Sequence, residues 1–77
     1  MKLEYDIQAD AVYIRLSPKT YAYGKDLDEN RHIDFADDGT PIGVELLCVK
    51  NGVNIDNLPE QNKIAQLLAK NRIRVFA

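Results

Sequence analysis

The stretch HIDFADDGTPIGVELL, residues 32–47, carries the strongest structural signal in this 77-residue chain. Apolar and polar residues alternate on both sides of an Asp38-Gly39 dipeptide, which is the pattern of two half-buried strands joined by a turn. Because Asp-Gly is favoured in two-residue type I′ turns, the stretch predicts a β-hairpin.

The apolar pattern also predicts the register of this hairpin. With either a two-residue or a four-residue loop, the numbers of paired residues sum to 77, so Phe35 faces Ile42 and Ile33 faces Val44, which puts both apolar sets on one face. A slip by one residue would send one set to solvent, so the turn and the pattern together fix the pairing.

Residues 34–45 also come close to a calcium-binding loop, with Asp34 at its first position and Glu45 at its last. The third position is Ala36, which cannot ligate an ion. An EF-hand also needs helices on both sides, whereas these flanks alternate with period two. We therefore interpret the loop as a hairpin turn and expect no metal site.

The rest of the chain predicts one small domain of the α+β class, residues 1–77. Short alternating segments occur at 3–5, 11–16 and 21–27. Together with the hairpin they predict an antiparallel β-meander of about five short strands over residues 1–49.

The remaining residues predict a connection, a helix and an additional short strand. Residues 50–58 are rich in Gly, Asn and Pro, and they lead to a predicted helix at 59–71. Apolar residues at i, i+3 and i+4 give this helix a stripe, which we expect to pack on the apolar face of the sheet. Residues 72–76 alternate again and can form an extra C-terminal strand.

Charge is distributed unevenly along the chain. The net charge of −2 divides into −5 over residues 1–45 and +3 over residues 46–77. An acidic body repels phosphate, so we expect no broad nucleic-acid binding by the isolated protein. The basic tail keeps a weaker nucleic-acid alternative, with candidate contacts at Lys70, Arg72 and Arg74.

Two sequence features bear on the compartment. No stretch is apolar over the roughly 18 residues of a spanning helix, and the opening MKLEYD lacks the apolar core of a signal peptide. The single cysteine, Cys48, cannot form an internal disulfide, which favours a reducing environment. We expect a cytoplasmic protein without a membrane partner, in which Cys48 is a small buried hydrophobic residue.

The predicted register collects polar side chains on the outward face of the sheet. His32 lies opposite Glu45, and Asp34, Arg15 and Tyr13 share the same outward parity. Such a set could serve acid–base catalysis or bind a small molecule, and this alternative stays open. Since an open sheet face excludes no water, we favour cross-strand ion pairs and expect no enzyme, no catalytic residue and no cofactor.

Open sheets have exposed edges, and edges recruit strands from a second copy or from another protein. YAYGKDL (21–27) and the terminal RIRVF (72–76) are the edge candidates. We expect a protein partner or a homo-oligomer, because a domain this small gains stability by associating. Acidic turn residues would steer a basic partner, namely Asp26, Asp28, Glu29, Asp37 and Asp38.

Two blocks, EYDIQADAVYIRL and IDFADDGTPIGVELL, together resemble a small prokaryotic family named domain of unknown function 2283. The matching residues are Tyr5, Asp6, Ala9, Asp10, Ala11, Tyr13, Ile14 and Leu16 in the first block and Asp34, Asp38, Gly39, Gly43, Val44, Glu45, Leu46 and Leu47 in the second. The end NLPE…IAQLLAKNRIRV is similar to the C-terminal extension of longer members. His32 stands where a hydrophobic residue is more usual, so the family gives no support to a role for it.

The resemblance implies a small β-rich fold without a settled activity. Members tend to be encoded beside small toxin-like proteins, which implies an antitoxin-like role. An acidic protein with open edges fits the neutralisation of a small basic toxin protein, and this interaction module is the function that we expect.

Overall fold

The computed structural model describes all 77 residues, which divide into two compact units, Met1–Leu47 and Cys48–Ala77. The first unit consists of five short strands and the turns between them. The strands are β1 (Lys2–Asp6), β2 (Ala11–Arg15), β3 (Tyr23–Asp28), β4 (Arg31–Phe35) and β5 (Pro41–Leu47). All five predicted strands are therefore present, with ends shifted by at most two residues.

These strands form one antiparallel sheet in the order β1-β2-β5-β4-β3. The predicted α+β class is confirmed, since the chain combines this sheet with a C-terminal helix. One connection differs from a simple meander, because β3 lies at the far edge and does not pair with β2. The centre is occupied by β5, the longest and most buried strand, whose backbone groups are paired on both sides.

The β4–β5 hairpin has the predicted register over most of its length. Four consecutive pairs, among them Ile33 with Val44, have residue numbers that sum to 77. The predicted pairing of Phe35 with Ile42 is wrong, because a bulge at Ile42 puts Phe35 opposite Pro41.

The turn of this hairpin explains the bulge. Gly39 is left-handed, with φ of 85°, but Asp38 is not, so the two-residue type I′ turn that Asp38-Gly39 favours is not formed. Instead the amide of Gly39 donates to the carbonyl of Ala36 at 2.9 Å, and the amide of Ala36 donates to the carbonyl of Thr40 at 2.8 Å. The loop therefore has three residues, 37–39, and its left-handed glycine follows a type I turn.

Alternate side chains of the central strands are buried. The inward row that crosses the sheet contains Ile14, Val44 and Ile33, each at most 5% exposed. Val12 and Leu46 form a second buried pair beside it. Because side chains alternate along a strand, burial of these residues fixes which ones point outward.

The second unit begins with a turn of 3₁₀ helix at Val49–Asn51. It contains helix α1 (Gln61–Lys70) and two short strands, β6 (Val53–Asn54) and β7 (Val75–Phe76), which pair in parallel. The predicted helix is confirmed, and it starts two residues later than predicted because the preceding residue is left-handed. This helix is neither long nor apolar enough to span a membrane.

The predicted extra C-terminal strand is present as β7. It pairs with β6, which is too short to show a sequence pattern, so the edge candidate RIRVF is not an edge of the main sheet. The prediction for Cys48 is wrong. Cys48 is exposed rather than buried, because it adopts a left-handed conformation with φ of 55° and ends the alternation of β5. The edges of the main sheet are β3, as predicted, and β1.

Candidate functional site

One row of outward-facing side chains crosses all five strands of the main sheet. Consecutive partners in the register are Glu4, Tyr13, Glu45, His32 and Asp26, one from each strand. Directly opposite residues of antiparallel strands have Cβ atoms about 5 Å apart, so each side chain can reach its neighbours in the row. We call these five residues the polar row.

The adjacent outward row contains two glycines that make room for the larger side chains of the polar row. In strand order it is Lys2, Arg15, Gly43, Asp34 and Gly24. A Cβ atom on Gly43 would overlap the Tyr13 hydroxyl, and a Cβ atom on Gly24 would overlap the His32 ring. Tyr13 and His32 therefore lean over glycine backbone and approach Asp34 from two sides.

Asp34 joins these side chains into a hydrogen-bonded chain. Tyr13 Oη donates to Asp34 Oδ2 at 3.0 Å, and Asp34 Oδ1 lies 3.1 Å from His32 Nε2. On the other side of the ring, His32 Nδ1 lies 2.6 Å from Asp26 Oδ1. We call Asp26, His32, Asp34 and Tyr13 the polar chain, and it connects β3, β4 and β2 across Gly43 of β5.

The electrostatics of the polar chain favour a charged histidine and a neutral tyrosine. The hydrogen bond to Asp26 raises the pKa of His32, partial burial opposes this, and Asp34 raises it further. Carboxylate oxygens only accept, so the imidazolium can donate to both neighbours whereas the neutral ring can donate to one. Burial and the hydrogen bond to Asp34 both raise the pKa of Tyr13.

This arrangement limits the chemistry of the site. When both ring nitrogens of His32 donate to carboxylates, neither offers a lone pair to a metal ion. The polar chain can hold a proton between Asp26 and Asp34, and it fastens three strands to one another. Its groups satisfy each other, so its first effect is structural.

Of the five residues predicted on the outward face, the structure joins three in the polar chain, Tyr13, His32 and Asp34. Glu45 is the register neighbour of His32, but it is exposed and lies outside the polar chain. Arg15 Nε donates to the carbonyl of Ser17 at 2.8 Å, and Arg15 also interacts with the Tyr13 hydroxyl, where it opposes the rise in the pKa of Tyr13. The sequence analysis missed the close contacts of Tyr13 with Gly43 and of His32 with Gly24. A glycine inside a strand indicates that another group approaches closely, and this signal could have predicted them.

Two of the acids predicted for partner contact make local ion pairs. Asp28 accepts the Asn30 amide at 3.0 Å and Arg31 Nε at 2.9 Å, and these two bonds lower its pKa. Asp38 lies 2.6 Å from Lys19 Nζ, which holds the pKa of Asp38 well below its usual range. Much of the charge at these turns is therefore compensated within the protein.

The remaining predicted contacts have different surroundings. Asp26 belongs to the polar chain, whereas Glu29 and Asp37 are exposed at the β3–β4 and β4–β5 turns. In the second unit, the candidate nucleic-acid contacts Lys70, Arg72 and Arg74 are all exposed. Their roles in partner and nucleic-acid binding stay predictions.

The fold and this face define a class of small α+β protein. Its open antiparallel sheet carries a series of hydrogen-bonded polar side chains on the outer face. The chain belongs to the family described as Protein of unknown function (DUF2283), whose model matches residues 2–50. The resemblance seen in the sequence is thereby confirmed, and the matched segment includes all five strands of the main sheet. Comparison with curated proteins and with solved structures gives no match.

Proposed function

We propose that this protein is a non-enzymatic binding module that takes up a strand of a basic partner protein along the free edge of β1. A difference between the two edges supports this choice. The inward row that contains Ile14, Val44 and Ile33 crosses the whole sheet. It ends with Lys25 on the edge strand β3 and with Leu3 on the edge strand β1. An inward-pointing charge protects an edge against pairing, and so does the bulge between Asp26 and Asp28 of β3.

The edge of β1 lacks these two devices. It pairs with β2 at five consecutive positions without a shift, and its inward residues Leu3 and Tyr5 are uncharged. Met1 and Ile7, at the two ends of the strand, are 49% and 68% exposed. A regular edge of this kind supplies main-chain hydrogen bonds to an added strand.

Charge near β1 favours a basic partner. Glu4, Asp6 and Glu45 are exposed on the outward face of β1 and β5. Like-charge repulsion would exclude acidic partners, while a basic one would be attracted and oriented. In biological terms, we propose an antitoxin-like protein that neutralises a small basic toxin protein in the cytoplasm, where the exposed thiol of Cys48 would stay reduced.

The test is a tagged pull-down from the native host, with mass spectrometry of the captured proteins. Leu3→Lys gives β1 the charge that β3 carries in the same row, and Lys25→Leu is the reciprocal control. We expect the wild type and Lys25→Leu to retain a stoichiometric small basic protein and Leu3→Lys to lose it. Thermal unfolding of each variant checks that the fold survives.

Other outcomes contradict the proposal. Equal retention by all three proteins would exclude the β1 edge as the contact. If the wild type returned only itself in a defined oligomer, the antitoxin-like role would be wrong.

A second candidate is favoured by the two carboxylates that flank His32. Perturbed histidines are frequent at functional sites, so the polar chain could bind a small molecule or transfer a proton. A thermal-shift screen of small molecules tests this, with His32→Ala as the variant that should lose any stabilisation. A screen without a hit would leave the polar chain with its structural effect alone.

A further inference from the structure

A groove of about 790 Å³ opens on the outer face beside the β1–β2 turn. Its lining includes Ala11, Tyr13 and Leu47 on the strands and the turn residues 7–9. Leu47 is 39% exposed and Ile7 is 68% exposed, so much of this lining is apolar surface in contact with water. We call this concavity the turn groove, and an apolar stem that lay in it would cover that surface.

Three acidic residues also line the groove, namely Glu4, Asp6 and Glu45. Glu4 and Glu45 are the register partners of Tyr13 on its two sides. They are therefore two strand spacings apart, about 10 Å between their backbones. Asp6 accepts the amide of Ala9 at 3.1 Å, which supports the turn that borders the groove.

The Tyr13 ring is held in a fixed position between these acids. Its hydroxyl donates to Asp34 and overlies Gly43, in the row next to that of Glu4 and Glu45. The Tyr13 hydroxyl therefore bonds to Asp34 and not to Glu4 or Glu45, and the ring forms part of the groove lining. An apolar channel, an aromatic ring and flanking carboxylates match a side chain with an aliphatic stem and a cationic head.

We propose that the turn groove binds an arginine side chain of the partner protein. Its stem would lie against Ile7 and Leu47, and its guanidinium would stack on Tyr13 between Glu4 and Glu45. Arginine fits better than lysine, because a planar guanidinium stacks on aromatic rings and forms two parallel hydrogen bonds with a carboxylate. The inference rests on the proposed function and names the partner chemistry expected next to the added strand.

The other half of the outer face cannot bind a cation in the same way. There Asp26 and Asp34 already face the two nitrogens of His32. An arginine from outside would have to displace the His32 ring from these two carboxylates. Its binding would be weak, because its guanidinium would only replace the charged imidazole as their partner. The turn groove is therefore the half of the face whose carboxylates can pair with a cation from outside.

The experiment uses two capped tetrapeptides and the full ¹⁵N-labelled chain. Ac-Gly-Arg-Arg-Gly-NH₂ is titrated while amide shifts are followed, and the same peptide with citrulline in place of arginine is the uncharged control. We expect saturable shifts confined to β1, the turn at 7–9, Tyr13, Glu45 and Leu47 with the arginine peptide only. Shifts spread over all acidic positions, or equal shifts with citrulline, would overturn the inference.

Two double variants with the same change of net charge locate the binding. Glu4→Gln with Glu45→Gln should weaken the peptide affinity by about fivefold or more, because two exposed ion pairs are lost. Glu29→Gln with Asp37→Asn, exposed acids away from the groove, should change it by less than about twofold. Equal weakening by both pairs would mean general attraction and would overturn the site.

Failure of this inference and failure of the proposed function give different results. If a partner is lost by Leu3→Lys but the arginine peptide does not bind, only the groove assignment is wrong. If the peptide binds in the groove but the wild type captures no partner, the proposed function is wrong and the groove is a site for arginine alone.

Discussion

The two halves of the outer sheet face use the same residue types for different purposes. On β3 and β4, the carboxylates of Asp26 and Asp34 meet the ring of His32, and the Tyr13 hydroxyl completes the polar chain. On β1 and β5, the carboxylates of Glu4 and Glu45 flank a groove without such a cation between them. Acids that are paired internally hold strands together, whereas exposed acids beside apolar surface are available to a ligand.

The largest expected effect comes from Gly43, where the two halves meet. Gly43→Ala would put a Cβ atom into the Tyr13 hydroxyl and force the ring away from Asp34. We expect a loss of about 1–3 kcal/mol in the free energy of unfolding, measured by urea titration, because overpacking displaces a hydrogen-bonded side chain. The turn groove should lose peptide affinity in the same variant, since Tyr13 lines it.

A double-mutant cycle with Tyr13→Ala is the control for this prediction. Without the ring, the extra methyl group at position 43 has no hydroxyl to overlap, so Gly43→Ala should cost much less. Equal costs in the two backgrounds would mean that the glycine acts through the backbone and not through Tyr13.

The next largest effect concerns Asp34, which accepts from Tyr13 and faces His32. Asp34→Asn keeps the shape but removes the charge, and we expect a loss of about 1–2 kcal/mol in denaturant unfolding. Asp26→Asn is the matched control, because the Asp26 side chain is 80% exposed and its pair should contribute less. A larger loss of stability from Asp26→Asn than from Asp34→Asn would contradict the view that Asp34 is the centre of the polar chain.

The main features of this face follow from the sequence because they depend on alternation alone. The pairing of His32 with Glu45 was predicted from the apolar partners Ile33 and Val44, whose burial fixes the register. The contacts within the face could not be predicted in the same way. They depend on which side chains lean over a glycine, and alternation says only which face a residue occupies.

Two of the wrong predictions, the pairing of Phe35 with Ile42 and the burial of Cys48, have a common physical cause, which is local backbone conformation. The left-handed residues Gly39 and Cys48 respectively produce a bulge at Ile42 and end the parity of β5. A single φ angle of this kind changes the pairing or the direction of the side chains close to it. Hydrophobic periodicity carries no information about it unless the turn type is known.

A smaller effect is the pH dependence that the polar chain should confer. The folded-state pKa of His32 is raised, so its stabilising contribution is complete below the unfolded pKa of about 6.5. That contribution is lost as the pH rises through the folded-state pKa. Stability measured from pH 6 upward should therefore fall in the wild type more than in His32→Gln.

His32 is the only histidine in the chain, so few other groups titrate in this range. The comparison with His32→Gln cancels the contributions of all groups that both proteins share. A histidine titration followed by NMR gives the folded-state pKa directly. A value at or below that of a free histidine would contradict the pairing with Asp26 and Asp34.

The smallest effect is expected at Glu45, and its size separates the two halves of the face most sharply. Glu45 is exposed and outside the polar chain, so Glu45→Gln should change the free energy of unfolding by no more than about 0.5 kcal/mol. The same substitution should still weaken the arginine peptide in the turn groove. A loss of stability as large as that of Asp34→Asn would show that Glu45 helps to hold the sheet together, and the two halves of the face would then not differ in function.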